Sequence, residues 1–250
     1  QGLPGDDIRA LLEDKSGRLW IGTAGTGLGR LDFSANAQVQ DSKQTATGIA
    51  SSRGVEALAG KITVYNNRDG LSNDFISALY EDAEGVLWIA TKRGLNRLKD
   101  DRITAFTSQH GLFDDVTGQI LEDDLGRLWI GGTRGIFRGR KQDLHDVANG
   151  RAETVPCVGY DESDGLFSSE TNGGRNQPSA IKTRDGRLWF PTTRGVVIID
   201  PKIVCPTESE LPVYNEQIRA NGEFIYRDRR WALPAGSLSP SPTKNDHRMS

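Results

Sequence analysis

The stretch Leu19-Trp20-Ile21-Gly22-Thr23 returns as LWIAT at 87–91, LWIGG at 128–132 and LWFPT at 188–192, so four of the five tryptophans stand in one recurring phrase. A glycine lies three residues before each of them, at Gly17, Gly85, Gly126 and Gly186. A Gly-Leu pair lies further upstream, at Gly2, Gly70, Gly111 and Gly165: 18 residues before the first three tryptophans and 24 before the fourth. Self-similarity at a fixed period is the mark of a repeat architecture and outranks any local motif. In the most regular unit, Gly70 to His110, four short apolar runs cover Ile76 to Tyr80, Leu87 to Thr91, Leu95 to Leu98 and Ile103 to Thr107. Between them stand Ala83-Glu84-Gly85, Lys92-Arg93-Gly94 and Lys99-Asp100-Asp101, with the Gly or Asp that tight hairpins need for positive φ. Four antiparallel strands in about 41 residues make one propeller blade. The expected fold is therefore all-β: a partial β-propeller of four four-stranded blades at about 1–69, 70–110, 111–164 and 165–205.

Alternation along the second strand sends each tryptophan ring to one blade face, so Trp20, Trp88, Trp129 and Trp189 are expected to be buried, equivalent packing residues between blades. The intervals between them locate two insertions, one over Ser34 to Ala59 and one of 13 residues between Arg140 and Thr154, both between third and fourth strands. Four blades are too few for the larger rings this repeat resembles, so an open arc is expected. The repeat stops after Pro201. Pro206 to Pro212 read as a linker before a new strand pattern, Val213 to Ile225, and 236–250 as a polar, disordered tail.

The units GLSNDFISALYEDAEGVLWIATKRGLNRL and GLFDDVTGQILEDDLGRLWIGGTRGIFR resemble the two-component regulator propeller repeat, over about residues 1–205. LPVYNEQIRANGEFI resembles the immunoglobulin-like domain, with characteristic tyrosines, that follows such propellers, which implies that residues 206–235 are the start of a β-sandwich domain. The resemblance implies the periplasmic, ligand-sensing part of a membrane-bound sensor histidine kinase, often for carbohydrate fragments, and a homodimer formed through the parent protein. The family usually carries many more repeats, and here no membrane, kinase or receiver segment follows. The chain therefore reads as a fragment, and kinase or cyclase activity would belong to the missing part.

Charge excludes other classes. Lys and Arg number 31 against 34 Asp and Glu, so no basic groove for nucleic acid is expected. No apolar run reaches the roughly 18 residues that a membrane helix needs. Cys157 and Cys205 share no metal spacing and leave a disulfide open, and no cofactor is expected. Glu13-Asp14, Glu81-Asp82 and Glu122-Asp123 read as strand-end and turn chemistry, since neighbours on a strand face opposite ways and cannot flank one bond. His110, His145 and His247 read as surface residues. No catalytic or metal-binding set is expected.

One constellation points to binding. Arg93, Arg134 and Arg194 each stand five residues after a tryptophan, in the turn joining strands two and three. Strand reversal puts these turns on the same rim as the links between blades, which carry Asn73, Asp74, Asp114, Asp115, Asn172, Arg175 and Asn176. Directional donors and acceptors of this kind suit sugar hydroxyls or carboxylates. The alternative is that these Arg and Asp side chains pair with one another. The leading functional expectation is ligand sensing without catalysis. The rivals are a propeller hydrolase or lyase acting on polysaccharide and a protein-binding scaffold.

Overall fold

The computed structural model describes residues 3–33, 60–172, 179–204, 217–220 and 223–227, the last two stretches as backbone only. The chain divides into two compact units, Gln1–Cys205 and Pro206–Ser250. In the first, β1 (Ile8–Glu13), β2 (Leu19–Thr23), β3 (Leu28–Phe33) and β4 (Gly60–Tyr65) form one antiparallel sheet in chain order. The same order builds a second sheet from β5 (Ile76–Glu81), β6 (Leu87–Thr91), β7 (Gly94–Lys99) and β8 (Arg102–Phe106). A third comprises β9 (Thr117–Glu122), β10 (Arg127–Gly132), β11 (Ile136–Arg140) and β12 (Val158–Tyr160), with the helix α1 (Lys141–Ala148) between its last two strands. The fourth has three described strands, β13 (Ile181–Lys182), β14 (Leu188–Thr192) and β15 (Gly195–Ile199), followed by α2 (Pro201–Val204). These are the blades of a β-propeller arc. Their first strands lie innermost, β5 touching β1 and β9, and β9 touching β13. The second unit contains a hairpin of β16 (Gln217–Ala220) and β17 (Glu223–Arg227).

The recurring phrase fills the gaps between blades. Trp20, Trp88 and Trp129 are 3%, 0% and 0% exposed, and each packs against the core residues of the following blade. Cross-strand neighbours repeat as well: Leu12, Trp20 and Arg30 share a row, as do Tyr80, Trp88 and Arg97, and Leu121, Trp129 and Arg138. Trp189 departs from the expected equivalence. It is only partly buried, and its row-mates are the exposed Ile181 and Ile198. No further blade covers that face among the described residues, so the ring has one packed side instead of two.

The turn between first and second strands explains the aspartates. Asp123 accepts from the amides of Leu125 and Arg127 at 2.9 and 3.0 Å, from Arg127 Nε at 2.7 Å and from Trp129 Nε1 at 2.8 Å. Asp14 makes the corresponding bonds to Ser16, Arg18 and Trp20, and Asp82 to Glu84, Val86 and Trp88. One carboxylate thus folds the turn, satisfies the buried indole and fixes the ring's orientation, which is more than strand-end chemistry. The glycine three residues before each tryptophan closes the turn with φ between 71° and 89°, where a Cβ is strained. Burial alone would raise the three carboxylate pKa values. The indole and amide hydrogen bonds outweigh it and hold all three below the ordinary value. In the fourth blade Thr183 takes the aspartate's place, and Trp189 Nε1 is left buried without a partner.

Candidate functional site

The turns β2–β3, β6–β7, β10–β11 and β14–β15 share one rim with the links between blades, because each strand reverses direction. Arg93, Arg134 and Arg194 all stand exposed on it. The link residues are occupied structurally. Asn73 Oδ1 accepts from the Phe75 amide at 2.9 Å and Asp114 Oδ1 from the Val116 amide at 3.0 Å, while Asp74 and Asp115 accept from the amides of Asn67 and Ser108. These pairs repeat from blade to blade and shape the short 3-10 turns that enter Gly70 and Gly111.

Asp114 has a second task. In the first, second and fourth blades a threonine closes the rim turn, Thr23, Thr91 and Thr192 donating Oγ1 to the carbonyls of Gly27, Gly94 and Gly195. The third blade has Gly132 there, and the buried Asp114 Oδ2 substitutes by accepting from Thr133 N, Thr133 Oγ1 and Arg134 N at 2.7, 2.9 and 2.8 Å. Arg134 is held too: Nη1 donates to the Phe113 carbonyl at 2.9 Å and the guanidinium lies 4.9 Å from the Phe113 ring centre. The Asn172 amide donates to the Pro191 carbonyl at 2.9 Å, with the side chain exposed. Arg175 and Asn176 lie outside the described residues, as do Cys205, the stretch 34–59 and the tail 236–250.

A recess of about 230 Å³ opens at the inner end of this rim, where β5 and β9 begin. Arg9, Phe75, Ser77, Lys92 and Thr171 are among its walls. Lys92 Nζ lies 4.0 Å from the Phe75 ring centre and the Arg9 guanidinium 5.4 Å from it. Sequence reasoning missed these residues, since Arg9, Phe75, Ser77 and Lys92 are each supplied by a single blade and the repeat gives no signal for them. Behind Thr171, Gln119 is 3% exposed and neither end of its amide has a partner. It occupies the slot between blades where the first two have Ala10 and Ala78.

The opposite rim carries a charged cluster built by α1. Lys141 Nζ sits 2.8 Å from Glu122 Oε1 and 3.6 Å from Asp82 Oδ2. Tyr80 donates its hydroxyl to Glu122 at 2.8 Å, and burial and that carboxylate push the phenol pKa well above its usual value. His145, expected at the surface, is 9% exposed and packs 5.6 Å from the Trp88 ring. The reason lies in the repeat. In the first and third blades Arg30 and Arg138 donate to the hydroxyls of Tyr65 and Tyr160 on the fourth strand. The second blade has Phe106 there, which has no hydroxyl, and Arg97 Nε donates instead to His145 Nδ1 at 3.0 Å. Burial, then the adjoining guanidinium, lowers the His145 pKa. Cys157 is a free thiol whose burial pushes its pKa up to about 11. Among the described residues no group of three or more His, Cys, Asp or Glu is placed to share a metal ion, and no helix is long and apolar enough to cross a membrane.

Comparison with known proteins agrees with this geometry. The chain is similar to the extracellular domain of the hybrid two component system BT4673 from B. thetaiotaomicron, at 25% identity and TM-score 0.58, over 80% of this chain and 24% of that one. It shares its fold with the extracellular domain of the hybrid two component system BT3049 from the same organism, at 19% identity and TM-score 0.60, over 90% of this chain and 27% of that one. The chain thus spans about a quarter of the length of either neighbour. No curated protein matches it. The family described as two component regulator propeller matches residues 2–25 and 70–93, from the opening Gly-Leu through the tryptophan phrase to the rim turn of the first two blades. The first two blades thus carry the two component regulator propeller repeat.

Proposed function

We propose that the chain is an extracytoplasmic, ligand-sensing propeller region of a two-component signalling protein, working by binding and not by catalysis. The observation that carries this reading is the repeat match at residues 2–25 and 70–93 in a chain similar to an extracellular domain of a two component system. The chemistry of the carboxylates supports it. The paired acids that would be the first candidates for acid/base work have their aspartates engaged by indole and turn amides and held ionised, which suits packing better than proton transfer.

Signal output then requires a ligand with different affinities for two arrangements of whatever follows the blades. On the rim, the exposed Arg93 and Arg194 are the side chains positioned to meet it, because Arg134 is held against Phe113 and Asp114 is consumed by its turn. Calorimetric titration of the chain with a panel of neutral and acidic oligosaccharides tests the reading. At least one binds, and Arg93→Ala with Arg194→Ala weakens it by about tenfold or more, as expected for a lost charged hydrogen bond. Absence of binding across the panel refutes sensing by these blades.

A further inference from the structure

We propose that the recess between Phe75, Lys92 and Arg9 is a carboxylate-binding subsite. It deepens the sensing reading by naming the ligand's chemistry; it rests on that reading for its role in the cell, though binding itself does not depend on it.

Three observations converge on the recess. Its walls bring two cations from different blades to one aromatic ring, Lys92 at 4.0 Å and Arg9 at 5.4 Å from the Phe75 centre. One carboxylate offsets them: Arg9 Nη2 donates to the exposed Asp7 at 2.7 Å, while Lys92 has no ion pair among the described residues. Arg9 Nε is buried with no acceptor, so the guanidinium that lines the recess is not fully satisfied by the protein. Two positive charges held within about 6 Å of one ring, with one counter-charge, favour an incoming anion. Phe75 lowers the local polarity on one side and so strengthens that attraction.

Size and the remaining polar groups narrow the class. At about 230 Å³ the recess is smaller than the ~300–1,000 Å³ of sites that enclose a whole drug-sized ligand. It fits one ring-sized group, such as the end of a longer molecule. Ser77 lines it with a hydroxyl that has no hydrogen bond among the described residues, so a carboxylate borne on a hydroxylated ring would find a partner for both parts. Two sources share this chemistry, an acidic sugar and a free small carboxylic acid.

The test is calorimetry on the full chain with glucuronate, glucose and acetate at low and high salt. Glucuronate binds about tenfold or more tighter than glucose, and salt weakens it. Lys92→Gln, a change in an exposed turn, lowers glucuronate affinity about tenfold, whereas Lys61→Gln, which removes the same charge elsewhere, does not. Acetate weaker than glucuronate assigns the recess to acidic sugars, and acetate of equal affinity assigns it to small carboxylates; either upholds the subsite. Equal binding of glucose and glucuronate, an unchanged affinity in Lys92→Gln, or no carboxylate binding at about 10 mM overturns it. A neutral oligosaccharide that binds while glucuronate does not would leave the sensing reading standing and remove the subsite alone.

Discussion

Replacing Asp123 by alanine tests the physical account of the repeat most directly. The carboxylate accepts four hydrogen bonds; beside the buried bond from Arg127 Nε, those from Arg127 N and Trp129 Nε1 are buried as well. Water can reach the Leu125 amide but not these two. Each stranded buried donor costs about 1–3 kcal/mol. The Arg127 guanidinium, also donating to the Pro201 carbonyl at 3.3 Å, loses its only ion pair among the described residues, and breaking a buried pair by deleting one partner costs about 3–5 kcal/mol. These terms overlap, so the expected loss is about 3–5 kcal/mol, a large part of the ~5–15 kcal/mol by which domains are stable. Urea titration followed by tryptophan fluorescence measures it. Asp185→Ala supplies the comparison, because the bonds of Asp185 to Thr183 and Arg187 lie at the exposed surface of a blade without the indole bond; its effect is far smaller. A loss below about 1 kcal/mol for Asp123→Ala, or equal losses for the two variants, would refute the claim that the aspartate ties turn to tryptophan.

Other outcomes follow from the same structure. Trp129→Ala costs about 3–5 kcal/mol, and Trp189→Ala distinctly less, because the second ring has an open side and an unpaired Nε1; equal costs in thermal unfolding would contradict this. Acid destabilises the fold in two windows. Asp14, Asp82 and Asp123 have folded pKa values below the unfolded one of about 3.9, so their contribution is complete above that pH and is lost as pH falls through the folded values. The lowered His145 pKa makes the unfolded chain bind the extra proton near its ordinary value of about 6.5, so stability also declines as pH drops through that value toward the lower folded one. His145→Leu abolishes that second slope, and a slope that survives the substitution places its origin elsewhere. Ile198→Lys on the open face of the fourth blade leaves stability within about 0.5 kcal/mol and reduces self-association in sedimentation velocity, since Ile198 and Val196 are 48% and 57% exposed.

The period of the sequence was enough to determine the blades. A tryptophan, a glycine three residues before it and alternating apolar runs specify strand, turn and buried face by local rules, so strands such as Leu87–Thr91 were legible residue by residue. The rim was legible too, because strand reversal alone assigns each turn to one end of a blade. What only the tertiary structure decided is where the repeat is broken and a residue from elsewhere completes it. His145, on an inserted helix and 39 positions after Phe106, takes the place of a missing tyrosine hydroxyl. Asp114 substitutes for a missing threonine, and so becomes a turn residue where the sequence suggested a ligand contact. Lys92 and Arg9 meet over Phe75 from different blades, with no spacing to announce it. The physical reason is the range of the forces: periodic burial and turn chemistry act between near neighbours, whereas hydrogen-bond satisfaction and charge convergence depend on distances that exist only after the blades have packed.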